Sequence, residues 1–280
     1  MSEVALKIQD DVVLHPTQEA WVTQTAQVKP FPLTVPLPTE DDLPSCDGVP
    51  METQRHKMQM DLLIESLDTW LAQRQDGYVG GNMFVYFSTK QVRNQDFRGP
   101  DVFVVLDVPK RERKSWVVWE ENGKTPDVVI ELLSDSTRET DKTEKKLIYQ
   151  NQLRVPEYFW YDPFNPDDLA GFTLHSGVYE PLAPDAQNRL ISQRLGLTLV
   201  RWQGVYREVE TVWLRWATLE GVLLPTAREA AEKKAEQAEQ KAEQAEQKAE
   251  QAEQKVEQAE QRAARLAEKL RAMGINPDEI

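Results

Sequence analysis

The chain has one cysteine, Cys46, among 280 residues, so no disulfide can form within it. That fits a reducing compartment, and the expected location is cytoplasmic. There are three histidines, and no Cys/His cluster of the kind that holds softer metals. No apolar run approaches the roughly 20 residues that a membrane-spanning helix needs. The N-terminal stretch MSEVALKIQDDVVLH lacks a basic segment followed by an apolar one, so neither a signal peptide nor a membrane contact is expected. No Gly-x-Ser-x-Gly occurs, and no histidine stands near a suitable acid in the motif region, which argues against a serine hydrolase. Positive charge is scarce as well. The net charge is −14; from position 227 onward 10 Lys/Arg face 13 Asp/Glu, which leaves −11 on the rest. Bulk charge therefore argues against non-specific nucleic-acid binding. It leaves room for a local basic groove, or for a site where acids hold cations.

What is present supports a sizeable folded body. Hydrophobic residues make up 40% of the chain, with eight tryptophans, enough for one substantial domain plus appendages. Residues 1–50 hold seven of the 17 prolines; each fixes φ and lacks an N–H, so an extended arm is expected there. Residues 51–75 read as an amphipathic helix, with Met60, Leu63, Ile64, Leu67, Trp70 and Leu71 on one stripe. Strands are expected at 83–88, 101–108, 115–121, 127–134 and 157–162, and shorter ones at 170–175, 178–182 and 197–216. The polar PKRERK between the second and third suggests that those two form a hairpin. Asp141 and Glu144 have capping-box spacing, so a helix is expected over 141–152 with Leu147 and Ile148 inward. That helix would link strands 127–134 and 157–162 as a βαβ unit. The body is expected to end near Pro225. From 226 to 274, KAEQAEQ repeats put Ala, then Val256, Leu266 and Leu270, at alternating spacings of three and four. That is the pattern of a coiled coil, and it predicts self-association. Gly274 and Pro277 end it, and 275–280 close the chain.

The chemistry centres on Val128-Val129-Ile130-Glu131-Leu132-Leu133. A carboxylate in a buried strand needs a partner. Asp101 begins another apolar strand, and in one sheet it could approach Glu131. Neighbouring carboxylates raise a pKa or recruit a cation. Oxygen ligands select a hard one, Mg²⁺, Mn²⁺ or Ca²⁺, and Mg²⁺ fits metal-assisted phosphodiester hydrolysis. The helix after Glu131 supplies Lys145 and Lys146, placed against the helix dipole, which could serve an anionic substrate or the acids or be plain solvated lysines.

Three segments, RGPDVFVVLDVP, TPDVVIELLSDSTRETDKTEK and YQNQLRVPEYFWYDP, resemble a bacterial endonuclease family formerly known only as a domain of unknown function. It lies in the PD-(D/E)xK, restriction-endonuclease-like superfamily. The linked motifs are Pro-Asp at 100–101, Glu-x-x-Ser at 131–134, Thr137, Asp-x-x-x-Lys-x-x-x-Tyr at 141–149 and Val-Pro-Glu-Tyr at 155–158. The resemblance covers roughly residues 50–225. It implies an α/β (α+β) fold, a mixed β-sheet core flanked by helices, with the coiled-coil helix after it. It also implies an Mg²⁺- or Mn²⁺-dependent endonuclease acting on DNA, with Asp101, Glu131 and the backbone carbonyl of Leu132 as metal ligands and Lys145 assisting. The superfamily's usual lysine position, two residues after the acid, is Leu133 here, and the resemblance assigns that role to Lys145. Glu65, on the first helix, could face the site as an accessory acid, but a solvated helix face is the preferred reading. His56, and the loop hydroxyls of Ser134 and Thr137, read as structural, and Tyr149, Tyr158 and Trp160 as core. The alternative is a catalytically silent nuclease fold that serves as an interaction module, oligomerised by its coil.

Overall fold

A computed structural model describes residues 37–45, 52–74, 76–88 and 97–274. Most of the expected proline-rich arm, and residues 275–280, lie outside these. The described part of the arm packs down: Leu43 is buried with Phe84, Tyr86 and Val117.

Among the described residues twelve strands form three sheets, and the largest of these has six strands in the order β1-β4-β6-β7-β8-β9. These are β1 (Gly77–Gly80), β4 (Val102–Leu106), β6 (Val128–Leu132), β7 (Glu157–Tyr161), β8 (Leu169–His175) and β9 (Val178–Pro181). The sheet is mixed. β6 and β7 run parallel, with Val128 beside Glu157, whereas β4 pairs antiparallel with β6, Val102 opposite Ile130. The βαβ expectation holds, because a parallel pair needs a crossover and the helical segment 138–153 provides it. β10 (Leu190–Ser192), β11 (Leu197–Tyr206) and β12 (Val209–Ala217) form an antiparallel meander. β2 (Val85–Tyr86), β3 (Phe97–Arg98) and β5 (Trp116–Val117) form the third sheet.

Two expectations about strands are corrected. Residues 101–108 and 115–121 do not form a hairpin, since β5 pairs in parallel with β2, Val85 beside Trp116. The intervening polar segment is held by Arg113 instead, which bonds Glu121 and stacks on Tyr78 and Trp116. The crossover helix begins at Arg138 rather than Asp141, and Leu147 is 54% exposed while Ile148 is buried.

The core has two sides because β-strand side chains alternate. Val102, Val104, Val128, Ile130 and Phe159 share one cluster with α1 (Gln54–Arg74) and the meander. Phe103, Val105, Val129 and Tyr158 share the other with Ile148, Tyr149 and Leu153 of the crossover helix. The stripe foreseen on α1 is the buried one, with Met60, Leu63, Leu67 and Leu71 in the first cluster.

The C-terminal helix, Ala227–Ala272, is a single run of 46 residues, about 70 Å at 1.5 Å per residue. Thr226 and Glu229 form a capping box at its start, and Glu229 also pairs with the buried Arg215 of β12. No residue of this helix is buried. Among the described residues no helix is long and apolar enough to cross a membrane.

One polar contact locks α1 to the meander. The buried Gln59 amide donates to the Leu214 carbonyl at 2.8 Å and accepts from the Leu214 N–H at 2.9 Å. Replacing Gln59 by leucine keeps the bulk but strands both backbone groups. A loss of about 1–3 kcal/mol in unfolding free energy is expected, measured by equilibrium denaturation; an unchanged midpoint would refute the assignment.

Candidate active site

Asp101 directly precedes β4, and Glu131 is the penultimate residue of β6. Continuing the β4–β6 register one step past Val102 and Ile130 sets the two opposite each other. Their odd-numbered positions turn both toward the crossover helix, the side taken by Phe103 and Val129. The sheet therefore brings the two predicted acids together. Asp101 Oδ2 also accepts the Leu132 N–H at 2.7 Å, which ties the two strand ends at the residue whose carbonyl is the third predicted ligand.

The helix supplies the rest. Lys145 Nζ lies 3.1 Å from Glu131 Oε2 and 2.7 Å from Asp141 Oδ1. Tyr149 donates its hydroxyl to Glu131 Oε1 at 2.7 Å. Asp141, Lys145 and Tyr149 are spaced by four. In an α-helix of 3.6 residues per turn such a series drifts around the axis. Here Asp141–Lys145 and Tyr149–Leu153 are π-helical turns, whose wider i→i+5 winding keeps that spacing closer to one face. Ser134 starts the helix by accepting the Thr137 N–H at 3.1 Å and sharing a hydroxyl contact with it at 2.9 Å. His56 fastens the same corner from α1: its ring nitrogens bond Thr53 Oγ1 at 2.8 Å and the Leu133 carbonyl at 2.9 Å. The structural reading of all three residues holds.

Three carboxylates thus surround one ammonium. The side chains of Glu131 and Asp141 are 0% and 1% exposed, and Lys145 is 19% exposed. Burial is the largest influence on Glu131 and, with Asp101 and Asp141 adding repulsion, pushes its pKa up to about 8, against the pull of Lys145. Burial also raises Asp101. Burial alone would lower Lys145, but Glu131, Asp141 and Asp101 outweigh it and hold its pKa above the ordinary lysine value. With all three acids ionised the cluster carries −2, so it favours either a proton on Glu131 or an added cation. Although Lys145 lies close, neither oxygen of Asp141 has an aligned hydrogen bond among the described residues.

This donor set fits a small divalent cation: hard oxygens, an uncompensated charge of two, and buried carboxylate oxygens without hydrogen bonds. Among the described residues no group of three or more His, Cys, Asp or Glu is arranged to hold a metal ion by itself. Mg²⁺ needs none, since it typically takes one or two carboxylates and keeps water for the remainder.

Two roles differ from expectation. Asp141 is not the helix cap; it lies inside the helix, buried against Lys145. Tyr149 is core, as foreseen, but its hydroxyl also belongs to the site, and the Asp-x-x-x-Lys-x-x-x-Tyr spacing was the signal for both. Glu65 does not join them. It pairs with Arg207 at 2.6 Å and accepts from Tyr206 at 3.1 Å on the outer side of α1.

No curated protein matches the chain. A protein of known structure from Anabaena variabilis, described as "a putative nuclease belonging to DUF820", aligns over 49% of this chain and 73% of its own, at 18% identity and a TM-score of 0.36. The pattern of the Uma2 family, described as "Putative restriction endonuclease", matches residues 35–203; that is more than half of the chain, which therefore belongs to this family.

Proposed function

We propose that the protein is a metal-dependent nuclease that hydrolyses phosphodiester bonds in DNA. The observation that carries this reading is the convergence of Asp101, Glu131 and Lys145, in a family described as restriction endonucleases. Asp101 and Glu131, with the Leu132 carbonyl, would hold Mg²⁺ or Mn²⁺. When bound, such an ion supplies Lewis acidity and a water made nucleophilic at neutral pH. Lys145, relieved of part of its attachment to Glu131, can donate from its ammonium to a non-bridging oxygen of the scissile phosphate. Asp141 keeps that ammonium in place, and Tyr149 fixes the Glu131 carboxylate by hydrogen-bonding one of its oxygens. Orienting contacts of this kind commonly matter 10- to 100-fold in metal sites.

Purified protein incubated with plasmid and single-stranded DNA is expected to cleave only when Mg²⁺ or Mn²⁺ is added. Glu131→Ala should lose more than about 100-fold of that activity, and Tyr149→Phe about 10- to 100-fold. Cleavage that survives in Glu131→Ala, or none from the parent chain, would defeat the proposal.

The raised pKa of Glu131 adds a pH dependence. Its folded-state value of about 8 lies above the ordinary 4.5, so its proton stabilises the fold. That contribution is complete below about pH 4.5 and is lost as pH rises through about 8. In EDTA the melting temperature should fall between pH 5.5 and 8.5. Mg²⁺ should restore it at pH 8.5, and Glu131→Gln should remove both effects. A parent melting temperature indifferent to pH and Mg²⁺ would contradict the charge assignment.

A second reading, a silent assembly module, draws on the 46-residue helix, none of whose residues is buried. Its Val256 and Leu266 are 58% and 53% exposed at heptad positions, an apolar seam suited to another copy of the same helix. Self-association through it is compatible with either reading. Sedimentation of the full chain should give an oligomer that Leu266→Asp with Leu270→Asp reduces to monomer; a parent that is already monomeric would exclude it.

A further inference from the structure

A cavity of about 750 Å³ opens beyond the end of β6, with Lys145 near enough to Glu52 on its wall to help lower that acid's pKa. Its walls include Thr53, His56, Leu133, Ser134, Ser136 and Phe164. It adjoins the candidate active site through shared residues: His56 bonds the Leu133 carbonyl, and Ser134 starts the helix that carries Lys145. The volume lies within the range of small-ligand sites, roughly 300–1,000 Å³.

Phe164 distinguishes this cavity from an ordinary cleft. It is 55% exposed, the only mostly exposed aromatic among the described residues. A single exposed apolar side chain needs no explanation by itself. This one is held on a rigid turn: Asp162 Oδ1 accepts the N–H of Phe164 at 2.8 Å and of Asn165 at 3.1 Å. The Arg55 guanidinium sits 4.4 Å from the centre of its ring, and the His56 ring is 5.6 Å away. Arg55 has no carboxylate partner among the described residues, whereas Arg138 at the same cavity is bound to both Asp162 and Asp168. The turn therefore presents a ring that is more than half exposed, with the Arg55 guanidinium over one face and free of any carboxylate partner among the described residues.

The cavity's own acids decide what can enter. Glu52 and Asp135 also line it, so a phosphate inside would be repelled. Burial would raise Glu52, but hydrogen bonds with Ser134 and Ser136 and the nearby charges of His56 and Lys145 hold its pKa below the ordinary range. An ionised carboxylate accepts hydrogen bonds from ring N–H and exocyclic amino groups. An uncharged, flat, hydrogen-bonding group meets all of these conditions.

Resting on the nuclease reading, we propose that this cavity receives an unpaired nucleobase next to the scissile phosphate, stacked on Phe164, with Arg55 on the adjoining backbone phosphate. A base in a duplex would have to be extruded first, at a cost of a few kcal/mol. The preferred substrate is therefore single-stranded DNA, or duplex with an unpaired nucleotide.

The test is equilibrium binding, with the full chain, a fluorescein-labelled 12-nucleotide strand or its duplex, and Ca²⁺ as the only divalent ion. The strand should bind more tightly than the duplex. Phe164→Ala should weaken strand binding about 5- to 150-fold, the usual loss for one stacked base, and Phe164→Trp should retain it, which a merely structural role for the ring would not predict. Arg55→Gln should lower the salt dependence of strand binding by about 0.7 in log–log slope, the value of one phosphate contact. Strand affinity unchanged in Phe164→Ala, or no preference for strand over duplex, would overturn the proposal. Cleavage is read separately: a parent chain that never cuts but binds strands through Phe164 refutes the nuclease reading and keeps the base site. A parent that cuts while Phe164→Ala binds normally refutes the base site alone.

Discussion

Two buried carboxylates, Glu131 and Asp141, paired with one lysine beside the half-buried Asp101 set the constraint to which the rest of the fold answers. Isolated in an apolar strand, Glu131 would be strongly destabilising. It is tolerated because strand alternation turns it away from the aliphatic cluster of Val128, Ile130 and Leu132 toward the helix that carries Lys145 and Tyr149. Several features hold that helix in place. Ser134 and Thr137 start it, His56 ties its corner to α1, and Tyr158 donates to the Asp141 carbonyl at 2.8 Å from the neighbouring strand. The wide turns then keep Asp141, Lys145 and Tyr149 on one side. None of these contacts involves a substrate, yet each fixes where the ammonium meets the acids.

The opposite ends of the same strands show what a purely structural acid looks like. Glu157 opens β7 and accepts from the N–H groups of Gln193 and Arg194 at 2.7 and 3.0 Å, and from Ser192. Asp127, just before β6, accepts the Leu106 N–H at 2.8 Å and pairs with Arg194. Each of these acids has donors on both oxygens and clamps the meander to the main sheet. At the other end the acids face one lysine among three, and Asp141 has no aligned donor. Glu131 itself has a donor on each oxygen, Lys145 and Tyr149, so what sets this end apart is its excess of negative charge, which on the proposed reading a bound cation would offset.

Much of this was legible in the sequence because the signals were local. The apolar runs around Asp101 and Glu131 marked the strands, and two strands parted by a capped helix implied the parallel crossover. The lysine could be found from its spacing in the motif. Asp141 was misread because an Asp-x-x-Glu pattern looks the same at a helix start and one turn inside it; Ser134, in the preceding loop, decided the start. Tyr149 looked like core because an aromatic on an apolar stripe gives no hint of where its hydroxyl points. The pairing of Trp116 with Val85 was invisible for a different reason. A short polar link usually joins neighbouring strands, but usually is only about two-thirds of the time, and here Arg113 and Glu121 tie the link across the sheet edge.

The negative charge of the body, which first argued against a polyanionic substrate, takes another meaning beside this site. A surface that repels DNA at long range restricts productive contact to places where the field reverses locally. Lys145 alone cannot reverse it, because its charge is already committed to three acids. On the proposed reading, a divalent ion added to a cluster of −2 would bring the three acids and the lysine to zero in sum and would loosen the acids' hold on the ammonium. On the same reading Arg55, over the Phe164 ring that lines the neighbouring cavity, would provide the second local reversal. On the proposed reading the cation would be a condition of substrate approach as well as of chemistry, and general stickiness toward nucleic acid would be suppressed by the same charges that build the site.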